Sequence, residues 1–277
     1  MTNEFQNLTL QRQKQLMAFD RLLTIMDDLR EKCPWDKKQT MESLRHLTIE
    51  ETYELSDAIL ENDQLEIKKE LGDILLHIVF YAKIGSEEKP EGQLQFDIAD
   101  VLTSISEKLI SRHPHIYGDT IAEDEAAVKQ NWEKLKLKEG NKSVLSGVPG
   151  SLPALVKAMR IQEKARGAGF DWDEKHQVWE KVQEEMNEFR AHYNIENQED
   201  FSHSEAEGEF GDLLFSLVNY SRFVDINPET ALERTNKKFI KRFQFMEEAS
   251  KKDGKILTDM TLTEMDEYWD LAKKIGI

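Results

Sequence analysis

The chain repeats itself, and this repeat limits it to a fold built from two related halves. EETYE at residues 50–54 is followed by ELGDILL at 70–76, and EEMNE at 184–188 is followed by EFGDLLF at 209–215. Both halves therefore place an acidic cluster ahead of a Glu-x-Gly-Asp sequence that opens an apolar run. Because an ordered series of matches is much rarer than a single one, duplication is the simplest interpretation.

The correspondence continues downstream of the acidic segments. EKLISR at 107–112 aligns with KKFIKR at 237–242, and QNWEKLK at 130–136 aligns with EYWDLAK at 267–273. Between the two halves of the chain lies a stretch rich in Gly, Ser and Pro, a composition typical of a linker. The predicted organisation is a first domain, a linker and a second domain, at residues 1–140, 141–153 and 154–277.

The hydrophobic pattern is helical along most of the chain. Segments such as FDRLLTIMDDLR (19–30) and ALERTNKKFIKRFQFMEE (231–248) carry apolar residues three and four positions apart, with charged residues between them. Alternating strand patterns are scarce. The sequence therefore predicts an all-α protein with two helical-bundle domains.

Charge and cysteine content exclude several classes of protein. The chain has 54 acidic and 37 basic residues, for a formal net charge of −17, which disfavours nucleic acid and anionic membranes as partners. The single cysteine, Cys33, excludes a disulfide framework and fits a reducing compartment. The N-terminus lacks a signal-peptide pattern, and no apolar run is long enough to span a membrane. A cytoplasmic location is predicted.

The acidic residues are spaced so that they share helix faces. Glu185 and Glu188 lie three positions apart, as do Glu209 and Asp212 on the next predicted helix. Thr48 with Glu51, and Ser204 with Glu207, match the capping-box pattern and predict the helix starts. The short connection between the two acidic helices predicts antiparallel packing, which would bring four or five carboxylates together.

Such a cluster needs a cation or protons to be stable. Two carboxylates about 4 Å apart repel by roughly 4 kcal/mol at a surface-like dielectric. All-oxygen ligation favours a hard ion, Mg²⁺ or Mn²⁺, over zinc. Ordinary solvated helix faces also carry acidic residues, but here the acids precede runs that must be buried, and Gly72 and Gly211 would let a neighbouring helix approach.

Other metal and phosphate sites lack their sequence patterns. A ferritin-like di-iron bundle needs Glu-x-x-His pairs, and none of the seven histidines has a Glu three positions before it. Zinc-type Cys/His spacing and a Walker A phosphate loop are also absent from the sequence. His113 and His115 are interpreted as residues at a helix end, because nothing nearby completes a ligand set.

The doubled EExxE…ExxD pattern, together with CPWD at 33–36, RHPH at 112–115 and SLPAL at 151–155, closely resembles the two-domain MazG nucleoside triphosphate pyrophosphohydrolases. The resemblance runs from about residue 15 to about residue 272. It implies tandem four-helix-bundle domains and a homodimer. It also implies Mg²⁺-dependent hydrolysis of ribo- and deoxynucleoside triphosphates to monophosphate and pyrophosphate, as housecleaning or regulation of the nucleotide pool.

The resemblance also implies roles for individual residues, with the C-terminal domain as the catalytic one. The implied metal ligands are Glu185, Glu188, Glu209 and Asp212. Glu184 would bind a second ion or accept the proton of the attacking water. The residues implied to hold the nucleotide are Lys181, Lys238 and Arg242 for the phosphates and Trp269 for stacking on the base. For Trp269, packing of the C-terminal helix onto the core is an equal alternative.

The N-terminal copy keeps the same residue types, and its acids show no decay. Its candidate residues are Glu50, Glu51, Glu54, Glu70, Asp73, Lys108, Arg112 and Trp132. Chemistry alone therefore permits two active sites, and the resemblance favours a structural and dimerising role for the first copy. The alternative function is a non-catalytic, acidic, metal-binding interaction protein. Matched basic residues in both halves favour the enzyme, because a structural ion needs no phosphate clamp.

Overall fold

The computed structural model describes residues 8–88, 90–118, 143–192 and 203–277. Described residues up to 118 form one compact unit, and those from 143 onward form a second. Every regular element in these ranges is a helix, either α or 3₁₀, which confirms the all-α prediction. No helix within them is long and apolar enough to cross a membrane.

The first unit is a helical bundle in which α3 packs against α1, α2 and α4. Its helices are α1 (Leu10–Lys32), α2 (Met41–Glu61), α3 (Gln64–Gly85), α4 (Ile98–Arg112) and the single turn α5 (Pro114–Tyr117). The core consists of Met26, Leu44, Val79, Phe80 and Ile84. These residues come from α1, α2 and α3, so their burial holds the three helices together.

The turn between α2 and α3 fixes their antiparallel arrangement. Asn62 adopts a left-handed conformation with φ of 56°, which asparagine tolerates better than most residues. Asp63 then caps α3, its carboxylate accepting from the backbone N–H groups of Leu65 and Glu66. Two residues thus reverse the chain, and the predicted antiparallel packing of the acidic helices is confirmed in this unit.

The predicted helix starts are wrong in both units. Helix α2 begins at Met41, where Thr40 and Ser43 form a reciprocal capping box, so Thr48 lies in the middle of the helix. Ser204 lies inside the acidic helix of the second unit, whose described part begins at His203. A capping-box pattern can also occur inside a longer helix, because helix interiors tolerate Ser and Thr. The pattern alone therefore does not mark where a helix begins.

The end of α4 agrees with the interpretation of the paired histidines. His113 follows the last residue of α4, and its Nδ1 lies 2.6 Å from the carbonyl oxygen of Leu109. The ring thereby satisfies one of the carbonyls that a helix end leaves without a partner. His115 lies in the next turn, with its ring centroid 5.6 Å from that of His113.

The described part of the second unit consists of two helix pairs and one further helix. Its helices are α6 (Ala154–Gly167), α7 (Lys175–His192), α8 (His203–Phe223), α9 (Pro228–Lys252) and α10 (Leu262–Lys274). Helix α7 packs on α8, α9 packs on α10, and α6 packs on α8. Val178, Val182, Leu213 and Val218 are buried residues of α7 and α8, the helix pair that carries the acidic residues.

The residues just before α6 pack against that helix. A 3₁₀ turn spans Val144–Gly147, and the Nζ of Lys164 lies 3.2 Å from the carbonyl oxygen of Val144. Lys157 reaches the carbonyl oxygen of Gly150 at 2.8 Å. Residues 143–153, the described part of the predicted linker, are therefore held by two lysines of α6.

Candidate metal centre

Three acidic residues of the second unit meet at the α7–α8 contact. One carboxylate oxygen from each of Glu185, Glu188 and Glu209 lies within 4.8 Å of those from the other two. Glu185 is buried, Glu209 is half-buried and Glu188 is exposed. The three-residue spacing on α7 and the packing of α8 against it place the group at the edge of the core, open to solvent on one side.

A lysine lies against this cluster. The Nζ of Lys181 is 2.7 Å from Oε1 of Glu185 and 2.9 Å from Oε1 of Glu184. Hydrogen bonds to these two carboxylates raise the pKa of Lys181. Desolvation raises the pKa of Glu188, with the charges of Glu185, Glu184 and Glu209 adding to it. The ammonium group therefore offsets only part of the negative charge.

Two residues that were predicted to join this site lie at its margin. Asp212 is exposed, lies three residues after Glu209 on α8, and is not among the three grouped carboxylates. Glu184 is also exposed and contacts Lys181. The structure thus brings together three of the four residues predicted as metal ligands.

The predicted phosphate and base contacts form a separate group on α9 and α10. The Nε of Arg242 donates to the carbonyl oxygen of Ile277 at 2.7 Å, and its guanidinium carbon lies 5.6 Å from the ring centroid of Trp269. The Trp269 ring also packs against Phe239, with centroids 5.0 Å apart. Lys238 is exposed on the same helix. These contacts fit the packing role considered for Trp269, and stacking on a base stays a prediction.

The first unit has a second carboxylate cluster at the matching place. One oxygen from each of Glu51, Glu70 and Asp73 lies within 4.8 Å of the other two. Glu70 is only 2% exposed. Its Oε1 lies 2.8 Å from the Nζ of Lys69, whereas its Oε2 is buried and has no hydrogen-bond partner.

This donor set fits a hard divalent cation. The carboxylates of Glu51 and Glu54 lie next to that of Glu70, and when ionised they can only accept hydrogen bonds. A buried acceptor among acceptors is satisfied only by a cation or a shared proton. Desolvation and the charge of Asp73 raise the pKa of Glu51, while the hydrogen bond from Lys69 lowers that of Glu70. All ligand atoms are oxygens, the set that Mg²⁺ and Mn²⁺ prefer.

The two clusters do not use the same three positions of the repeat. Glu54, which matches Glu188, is outside the first group, and Asp212, which matches Asp73, is outside the second. The other first-copy candidates are Glu50 and Lys108, both exposed, Arg112, which is half-buried, and Trp132, which lies outside the described residues.

The prediction that Gly72 and Gly211 let a neighbouring helix approach is wrong. A Cβ atom added at Gly72 or at Gly211 would meet nothing within 4 Å. Both glycines are exposed, so no neighbouring helix within the described chain requires them.

The sequence did not predict two features of the first cluster. One is the contact of Lys69 with Glu70, and the other is a polar network next to the cluster. Thr48 Oγ1 lies 2.8 Å from Nδ1 of His77 and 2.6 Å from the hydroxyl of Tyr81. Burial lowers the pKa of His77, which favours a neutral ring. The spacing of His77 and Tyr81, four residues apart on one helix face, was the available signal. To place Thr48 opposite His77 and Tyr81, the start of α2 would also have had to be predicted correctly.

Comparison with known proteins gives a consistent picture. A family model described as the MazG nucleotide pyrophosphohydrolase domain matches residues 39–117. The chain is 44% identical to the nucleoside triphosphate pyrophosphohydrolase/pyrophosphatase MazG of Thermotoga maritima, over 93% of this chain and 96% of that protein. It is 40% identical to the nucleoside triphosphate pyrophosphohydrolase of Escherichia coli K12, over 92% and 97% respectively. An uncharacterised protein of Bacillus subtilis, YabN, is 46% identical over 87% of this chain and 48% of its own length.

Proposed function

Because the chain belongs to the MazG family, we propose that it is a nucleoside triphosphate pyrophosphohydrolase, a hydrolase acting on acid anhydrides. Its substrates are ribo- and deoxynucleoside triphosphates. Water cleaves them between the α and β phosphates, leaving a nucleoside monophosphate and pyrophosphate. Control or cleaning of the nucleotide pool follows from that chemistry, and a cytoplasmic location stays a prediction.

One observation carries the proposal: carboxylates from two packed helices converge within 4.8 Å in each unit. A cluster of this kind holds a divalent cation, and Mg²⁺ is the ion proposed, with Mn²⁺ as a substitute. When bound, the ion neutralises phosphate charge and lowers the pKa of a bound water. An acidic protein with a net charge of −17 needs such an ion to accept a polyphosphate substrate.

The residues of the second unit divide the remaining work. Glu185, Glu188 and Glu209 hold the ion, with Asp212 as the fourth ligand. Glu184 either accepts the proton of the attacking water or helps to hold a second ion. Lys181 already contacts Glu184 and Glu185, so it is close enough to exchange these carboxylates for a phosphate oxygen.

The group on α9 and α10 is proposed to bind the rest of the nucleotide. Lys238 and Arg242 bind the phosphate chain, the arginine through its bidentate fork. Trp269 stacks on the base, a contact that any base can make. Arg242 and Trp269 already lie side by side, which supports a shared binding surface.

Product analysis tests the proposed reaction. Incubating the protein with ATP, GTP, CTP, UTP and the deoxynucleotides in the presence of Mg²⁺ is expected to yield monophosphate and pyrophosphate in equal amounts. The products are separated by ion-exchange chromatography. Diphosphate with orthophosphate would contradict cleavage between the α and β phosphates. No hydrolysis of any nucleotide would favour the non-catalytic, metal-binding alternative.

We also propose a two-fold symmetric homodimer. Leu71, Leu75 and Ile78 form an exposed apolar face on α3. The matching positions of α8 in the second unit, Phe210, Leu214 and Leu217, are exposed as well. Exposed apolar faces of this kind usually mark interfaces, and self-association through one patch gives a closed pair.

Sedimentation velocity tests the assembly. At micromolar concentration the protein is expected to sediment at twice the 32.3 kDa mass of the chain. Leu75→Arg is expected to shift the population toward monomer, because it places a charge within the apolar face. Ile105→Arg, at an exposed apolar position on α4, is the matched control. A stable monomer of the unaltered protein would contradict the dimer.

A further inference from the structure

A partly buried hydrogen-bond network joins α2 to α3 next to the first carboxylate cluster. Thr48 Oγ1 contacts three groups: the Leu44 carbonyl oxygen at 3.1 Å, His77 Nδ1 at 2.8 Å and the Tyr81 hydroxyl at 2.6 Å. A threonine hydroxyl donates once and accepts twice. All three contacts are hydrogen bonds when Tyr81 and His77 Nδ1–H donate to Thr48 and Thr48 donates to Leu44.

The network lies about one helical turn from the ligand positions. Thr48 precedes Glu51 by three residues on α2, and His77 follows Asp73 by four residues on α3. Residues at these spacings lie on the same face of a helix. The bonds between Thr48, His77 and Tyr81 therefore set the register of the two helices that bring Glu51 to Glu70 and Asp73.

The carboxylate cluster beside the network contains a buried oxygen that has no hydrogen-bond partner. Glu70 is 2% exposed, and its Oε2 has no hydrogen-bond partner. Lys69 contacts only Oε1 of this carboxylate, and its side chain is 59% exposed. The buried oxygen is thus left to a ligand that approaches from inside the cluster.

The second unit lacks this network at the matching positions. The repeat aligns Thr48 with Val182, His77 with Ser216 and Tyr81 with Tyr220. Ser216 donates to the Leu213 carbonyl oxygen within its own helix, and the Tyr220 ring packs 4.9 Å from that of Trp179. Apolar contact replaces the polar link between helices there, so the network is specific to the first unit among the described residues.

We propose that Thr48, His77 and Tyr81 are positioning residues for a divalent-cation site formed by Glu51, Glu70 and Asp73. By fixing α2 against α3, they hold the three carboxylates at ligand distance before the ion arrives. The inference rests on the cation-binding part of the proposed function, and it does not require the first unit to hydrolyse nucleotides.

Mn²⁺ binding to the full-length protein tests the proposal. Glu185→Ala serves as the background, so that the cluster of the first unit dominates, and free Mn²⁺ is measured by electron paramagnetic resonance. In this background Thr48→Val is expected to weaken the Mn²⁺ affinity by roughly tenfold, the usual scale for groups that orient metal ligands. Thr48→Ser keeps the hydroxyl and is expected to retain the affinity.

Tyr81→Phe and Tyr220→Phe form a matched pair. Each removes one hydroxyl at the same repeat position, and circular dichroism verifies the fold of every variant. Tyr81→Phe is expected to weaken Mn²⁺ binding, whereas Tyr220→Phe is expected to leave it unchanged. If Thr48→Val does not fold, the Tyr81→Phe comparison decides.

Three results would overturn the proposal. They are unchanged affinity in Tyr81→Phe, equal loss in Tyr220→Phe, and no Mn²⁺ binding in the Glu185→Ala background. The turnover of nucleoside triphosphates by the unaltered protein is measured separately. Failure of the positioning network and failure of the proposed function are therefore distinguishable.

Discussion

Replacing Glu185 by alanine is expected to lower the turnover of nucleoside triphosphates by roughly a hundredfold or more. Glu185 is the buried member of the α7–α8 cluster, so its loss removes the ligand that the core holds most firmly. An ion that stabilises transition-state charge contributes several kcal/mol, and about 2.7 kcal/mol corresponds to a factor of one hundred. Asp212→Ala is expected to give a comparable loss, since the family resemblance makes Asp212 the fourth ligand.

The fold is expected to survive these changes. Glu185 belongs to a group of carboxylates that repel one another, so removing one of them relieves repulsion. Steady-state kinetics with saturating Mg²⁺ and circular dichroism provide the two measurements. A loss of turnover confined to Glu185→Ala would remove Asp212 from the ligand set.

The matching changes in the first unit are the control. Glu51→Ala and Asp73→Ala are expected to leave most of the activity if the N-terminal copy serves as a scaffold. Equal losses in both sets would instead establish two working sites, a possibility that the match of the family model to residues 39–117 makes worth testing. If neither set changed turnover, the metal interpretation of both clusters would be wrong.

The sequence predicted the fold class and the carboxylate clusters because both depend on local spacing. Glu185 and Glu188 share a face of any helix that contains them, and duplicated apolar runs place Glu70 and Glu209 on the helix alongside. Helix starts were harder to predict, because a capping-box pattern can occur inside a helix as well as at its start. Thr48 illustrates this: it fits a capping box, yet Thr40 lies earlier and takes the role.

Contacts between distant residues could not be predicted from periodicity. Even for Lys69, the neighbour of Glu70 in sequence, periodicity does not predict whether the side chain extends into solvent or contacts the carboxylate cluster, because that depends on packing. The link from Thr48 to His77 spans 29 positions and exists only once α2 and α3 are in register. Arg242 and Trp269 were predicted as nucleotide ligands, but periodicity did not predict that they would contact each other where α9 packs on α10.

Adding Mg²⁺ at a hundredfold excess over its dissociation constant is expected to stabilise each unit by about 2.7 kcal/mol against unfolding. A ligand that binds only the folded state stabilises it by RT ln(1 + [L]/Kd), and each cluster assembles only when its two helices pack. The ion also removes repulsion among carboxylates that the nearby lysines neutralise only in part. Differential scanning calorimetry in Mg²⁺ and in a chelator measures the gain.

Two controls separate specific binding from charge screening. A protein with a net charge of −17 gains stability from any salt, so NaCl matches the ionic strength of the Mg²⁺ sample. Glu51→Ala is expected to abolish the gain of the first unit, Glu185→Ala that of the second, and the double variant both. Since the chain divides into two compact units, the single variants are also expected to assign their unfolding transitions. A double variant that Mg²⁺ still stabilises as much as the unaltered protein would show that the ion binds elsewhere.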